Sequence, residues 1–102
     1  MKDVYSLNEI KEKLFPIFNS VPIQKALVFG SYAKGTATSA SDIDILIDSD
    51  GEIKGIEFFG ILEDVVETLE APVDLIEASQ LIDGSRVQRE INDTGVIIYE
   101  RS

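Results

Sequence analysis

Apolar residues recur along the chain first at helical and then at alternating spacing, and each change of period marks an element. Leu7, Ile10, Leu14, Phe15 and Phe18 fall at the three- and four-residue intervals of one helix face. Ser6 and Glu9 stand at capping-box spacing, where each side chain can satisfy the other residue's N–H. Pro16 has no N–H and crowds the preceding turn, so it is expected to end or bend this helix. Beyond the Val21-Pro22 turn, the run from about Gln24 to Phe29 reads as a buried strand. A second strand is expected from about Asp42 to Ile47. There Ile43, Ile45 and Ile47 should enter a core, while Asp42, Asp44, Leu46 and Asp48 share the other face.

Gly51 and Gly55 mark the loop that follows. Ile56, Phe59, Ile61, Leu62, Val65, Val66 and Leu69 form a helical stripe with acids at Glu63, Asp64, Glu67 and Glu70, which predicts an amphipathic helix over residues 56–70 packed on the sheet. Ala71-Pro72 stops it. Val73-Asp74-Leu75-Ile76 reads as a third short strand, and a polar helix follows from about Ser85 to Asn92. Thr94-Gly95 then introduces a last strand, Val96 to Tyr99. No repeat, low-complexity tract or linker interrupts the pattern. The expected architecture is an α/β (α+β) fold in a single domain, residues 1–102, with a mixed sheet and helices mainly on one face. The pattern leaves the strand order open.

Composition narrows the chemistry. The chain has no Cys and no His, which excludes disulfides, thiolate metal sites and imidazole catalysis and leaves carboxylates to do acid–base or metal work. Its net charge of −10 opposes extended contact with a nucleic-acid backbone, because each phosphate contact needs a cation, and favours a basic protein partner. Residues 1–34 carry five Lys and three acids, whereas residues 35–102 carry four basic and sixteen acidic residues. With 102 residues there is room for one core but none for a separate substrate domain, so recognition of base and acceptor must come from loops or a partner. No apolar run approaches the about 18 residues of a membrane span and no signal-peptide pattern opens the chain, so a cytoplasmic protein with no membrane role is the expectation.

The candidate chemistry lies in two places. Gly30-Ser31 follows the first strand, and Asp42-Ile43-Asp44 begins the second after ten intervening residues. Gly30 allows the backbone to approach a phosphate, Ser31 offers a hydroxyl, and the N–H groups that follow can face an anion. Lys34 adds a positive charge nearby. Asp42 and Asp44, two residues apart on a strand, have Cα atoms roughly 6.5 to 7 Å apart on the same side. That spacing suits a shared Mg²⁺ or a pair of ions about 3.5 to 4 Å apart, completed by phosphate oxygens and water. Asp74 is the best candidate for a third carboxylate, provided that its strand lies beside the Asp42/Asp44 strand; Asp48 and Glu77 are weaker alternatives. Asp48, Asp50, Gly51, Ile53 and Glu57 also fall at spacings of a calcium-binding helix–loop–helix, but Leu46 occupies its first ligand position and a strand pattern precedes it.

Gly30-Ser31-Tyr32-Ala33-Lys34-Gly35-Thr36-Ala37 together with Ser39-Ala40-Ser41-Asp42-Ile43-Asp44-Ile45-Leu46-Ile47 resembles the signature of the polymerase-β-type nucleotidyltransferases, and most closely that of their minimal (MNT) subgroup. The resemblance extends over nearly the whole chain, including Asp93-Thr94-Gly95-Val96-Ile97-Ile98-Tyr99. It implies a polymerase-β-like fold, ATP as substrate and Mg²⁺, as two ions, as cofactor. Gly30 and Ser31 would hold phosphate, and Asp42, Asp44 and Asp74 would bind the metal. Lys34 stands where relatives often carry Arg, and an ammonium is a poorer bidentate phosphate clamp than a guanidinium. Many members of the subgroup resemble antitoxins paired with a HEPN-domain toxin, which implies transfer of AMP to a toxin tyrosine. Two alternatives stand beside this: an antitoxin that occludes its partner without catalysis, and nucleotidyl transfer to RNA or a small molecule.

Overall fold

Ser6 caps the first helix as its spacing predicts: its Oγ accepts from the Glu9 N–H (3.1 Å), and the Glu9 carboxylate accepts from the Ser6 N–H (2.8 Å). The computed structural model describes residues 4–101. Helix α1 runs Leu7–Asn19 with Pro16 inside it, so the proline does not end the helix. Pro16 forfeits one backbone hydrogen bond, but Phe18, beyond it, is buried with Ile10 and Leu14. Seating that aromatic in the core holds the last turn in place.

Strand β1 (Lys25–Phe29) leads into a short helix, α2 (Ser31–Lys34). The sequence pattern predicts no helix here, because four residues are too few to display a period; burial of Tyr32 anchors the turn. Strand β2 (Ile43–Asp48), helix α3 (Ile56–Leu69) and strand β3 (Val73–Glu77) follow, and a 3₁₀ turn at Ala78–Gln80 leads to helix α4 (Arg86–Thr94) and strand β4 (Val96–Glu100). Ser85 caps α4 by accepting from the Gln88 N–H at 3.1 Å. The helix runs two residues past its expected end at Asn92. A strand, not a helix, enters the Asp48–Gly51 turn, which rules out the calcium-loop reading.

The sheet order is β3-β2-β1-β4. Strands β1 and β2 pair antiparallel, as do β1 and β4, while β2 and β3 are parallel and joined through α3. Ile43, Ile45 and Ile47 are buried with Ala26 and Val28 in a core completed by Ile10, Leu14 and Phe18 of α1 and Ile61, Val65 and Leu69 of α3. The isoleucines therefore face inward as expected. Leu46 does not stay on a wet face: it is buried between its cross-strand neighbours Leu27 and Ile76. The second face is thus apolar at its centre, with Asp42 and Asp44 at one end and Asp48 at the other. No helix among the described residues is long and apolar enough to cross a membrane.

Candidate active site

The site forms where β1 ends and β2 and β3 begin. In the strand register Phe29 stands opposite Asp44, and Asp44 opposite Asp74. The parallel pairing meets the condition on which Asp74 depended, since paired residues present their side chains to the same face. Asp42 lies just ahead of β2 and is exposed, as is Asp74, while Asp44 is half-buried.

Gly30 binds the two halves of the motif together. Its φ is 74°, a region that favours glycine, and a Cβ placed on it would collide with Oδ2 of Asp44. Glycine is therefore required here both by backbone conformation and by the carboxylate lying against it. The turn is closed by the Lys34 N–H donating to the Gly30 carbonyl (3.0 Å) and the Thr36 N–H donating to the Ser31 carbonyl (3.0 Å).

Like charges crowd this end of the sheet. Burial, and then the neighbouring carboxylates of Asp74, Glu90 and Asp42, push the Asp44 pKa up from 3.8 to about 6. Among the described residues, none of Asp42, Asp44 and Asp74 accepts a protein hydrogen bond or lies within ion-pair reach of Lys or Arg. Nor are three acidic side chains gathered tightly enough to grip an ion as they stand. The donor set nevertheless suits a hard divalent cation: it is made of carboxylate oxygens whose mutual repulsion a cation would relieve.

The other candidates lie outside the group of three aspartates. Lys34, exposed at the end of α2, lines a cleft of about 320 Å³ with Tyr5, Ser6, Tyr32 and Ala37 and none of the three aspartates. Glu77 is committed to structure. Its buried carboxylate accepts from Ser49 N–H (3.0 Å) and Oγ (2.7 Å), from Ser79 N–H (2.6 Å) and from the Ser79 hydroxyl. Burial pushes its pKa up, but the hydrogen bonds from Ser79 and Ser49 outweigh burial and hold it below the ordinary value. Asp48, at the far end of β2, accepts from the Asp50 N–H at 3.0 Å.

Two residues at the site gave no sign in the sequence pattern. Glu90 of α4 adds its charge beside Asp44, and Thr94 of α4 accepts a hydrogen bond from the Gly30 N–H at 3.1 Å. The one available clue is their spacing, four apart on one helix face, and it points to no partner.

A mixed sheet with a Gly-Ser turn leaning on paired strand aspartates defines the class as a nucleotidyltransferase. The chain belongs to the family described as Polymerase beta, Nucleotidyltransferase, whose profile matches residues 12–102. It is 36% identical over 72 residues to a Methanocaldococcus jannaschii protein assigned as a protein adenylyltransferase, covering 70% of this chain and 76% of that one. Among solved structures it resembles a chain of a toxin–antitoxin complex with AMP-PNP, with a TM-score of 0.72 and 22% identity over 90% of this chain and 74% of that chain. A complex of a tri-AMPylated Shewanella oneidensis HEPN toxin with an MNT antitoxin gives a TM-score of 0.65 and 19% identity, over 93% of this chain and 73% of its counterpart. At those identities the two structures establish the polymerase-β-like fold.

Proposed function

We propose that this nucleotidyltransferase moves AMP from ATP to a hydroxyl, that of a tyrosine, on a partner protein, and that the partner is a HEPN-type toxin it restrains. The observation that carries the reading is the meeting of Gly30 with the Asp44 carboxylate, with Asp74 alongside. A phosphate-sized anion held by the turn is then brought directly against the acids. The adenylyltransferase assignment of the archaeal relative and the toxin–antitoxin setting of the structural relatives support a protein acceptor. The net charge of −10 favours a basic protein over RNA.

In this reading Gly30 and Ser31 hold the triphosphate, with Lys34 adding positive charge from the far end of α2. Asp42, Asp44 and Asp74 would hold Mg²⁺. Bound there, the ion would offset charge building on the triphosphate during transfer. The acceptor oxygen attacks the α-phosphorus, the bond to the β-phosphate bridging oxygen breaks, and pyrophosphate leaves with that electron pair. The hydroxyl proton passes to one of the carboxylates.

The test is incubation of the purified protein with α-labelled ATP and Mg²⁺ in lysate of its native host, beside the double variant Asp42→Asn, Asp44→Asn. A labelled protein band that the variant does not produce is expected. Label that persists with the folded variant would overturn the assignment of the site. Label on RNA would move the acceptor to a different class.

A further inference from the structure

We propose that Thr94 is a positioning residue for nucleotidyl transfer: its hydroxyl holds the Gly30-Ser31 turn in the shape that receives the phosphates. The inference rests on the reading of that turn as the phosphate holder.

Backbone accounting leads to Thr94. The ladder of β1 toward β2 ends at Phe29, and toward β4 at Val28, so the N–H of buried Gly30 has no strand partner. It donates instead to Thr94 Oγ1 at 3.1 Å, across 64 residues of sequence. The threonine hydroxyl donates its own proton to the Glu90 carbonyl at 2.7 Å. With that proton committed, the oxygen presents lone pairs to Gly30, and the side chain has one orientation in which both bonds form.

The last turn of α4 is itself fixed, because the Gly95 N–H donates to the Ile91 carbonyl at 2.8 Å. Gly30, at φ 74° and ψ −148°, occupies a backbone conformation that surrounding structure must maintain. Three contacts maintain it: Thr94 on the amide, the Lys34 N–H on the carbonyl, and the Asp44 carboxylate against the α-carbon. Only the first comes from outside the signature segment. One face of α4 therefore addresses both halves of the site, with Glu90 beside Asp44 and Thr94 on Gly30.

Thr94→Val keeps the shape and β-branching and removes the hydroxyl, while Thr94→Ser keeps the hydroxyl. For each full-length variant, Mg²⁺-dependent affinity for a fluorescent ATP analogue, hydrogen exchange at the Gly30 amide and the thermal midpoint are measured well below that midpoint. The valine variant should bind the analogue about tenfold more weakly, the scale of one lost hydrogen bond. Its Gly30 amide should exchange faster, and serine should restore both. A purely structural role would lower the midpoint and leave the affinity of the folded protein unchanged. Wild-type affinity in the valine variant, or failure of serine to restore it, overturns the proposal. If the wild type binds no ATP while its Gly30 amide is protected, the phosphate reading of the turn falls and takes the positioning role with it.

Discussion

Asp44 is held in a place that resists its charge, and the consequence is measurable without any substrate. Its folded pKa of about 6 lies above the ordinary 3.8, so between those values the folded chain binds a proton that the unfolded chain has released. The group's contribution to stability is therefore fully present below the unfolded value and is lost as pH rises toward about 6. Allowing for solvent screening at a half-buried site, the loss is on the order of 1 kcal/mol. Urea unfolding of wild type and Asp44→Asn from about pH 4 to 7 checks it, the range being set by the two pKa values. The variant should lack this decline, and identical profiles would show that Asp44 is not strained. At this scale the signature was legible: Gly30, Ser31, Asp42 and Asp44 lie close in sequence and advertise their spacing. Thr94 and Glu90 were not, because a threonine at a helix end and a glutamate paired at 3.8 Å with Arg86 look like ordinary surface.

Glu77 works at the scale of elements. It joins the end of β3, the 3₁₀ turn and the Ser49 loop beyond β2, and those elements frame the edge of the sheet on which Asp74 lies. Removing the carboxylate leaves the Ser49 N–H and hydroxyl proton buried without their acceptor, so Glu77→Ala should cost about 2–4 kcal/mol in denaturant unfolding. A loss under about 0.5 kcal/mol, the scale of a neutral surface change, would show that water replaces it freely. Its pH dependence has the opposite sign to that of Asp44: a depressed folded pKa gives stability above the unfolded value that disappears as pH falls. Most elements could be read from period alone, yet Pro16 shows the limit of local rules. A proline breaks an isolated helix, but here the packing of Phe18 decides.

Over the whole molecule, the net charge of −10 works against compaction, and Asp42, Asp74 and Glu90 add to that repulsion at Asp44. Sodium chloride should therefore raise the thermal midpoint by general screening. Millimolar Mg²⁺ should raise it further in the wild type and not in the Asp42→Asn, Asp44→Asn variant, since an ion that binds only the folded state stabilises it. Equal Mg²⁺ responses in the two proteins would mean that the ion acts only as salt. The same acidity predicts that a complex with a basic partner weakens as salt rises.

The sequence by itself determined the three longer helices and the four strands, the inward face of β2 and the local pairing of a Gly-Ser turn with an Asp-x-Asp strand, because helical and strand periods and short motif spacings are properties of neighbouring residues. It named Asp74 only on condition that two strands were adjacent. The tertiary structure decided that adjacency by running β2 and β3 parallel in one register. It also decided that Glu77 is spent on Ser49 and Ser79, and that α4 brings Thr94 to Gly30. Contacts between residues far apart in the chain depend on how the core packs, and no local period encodes them.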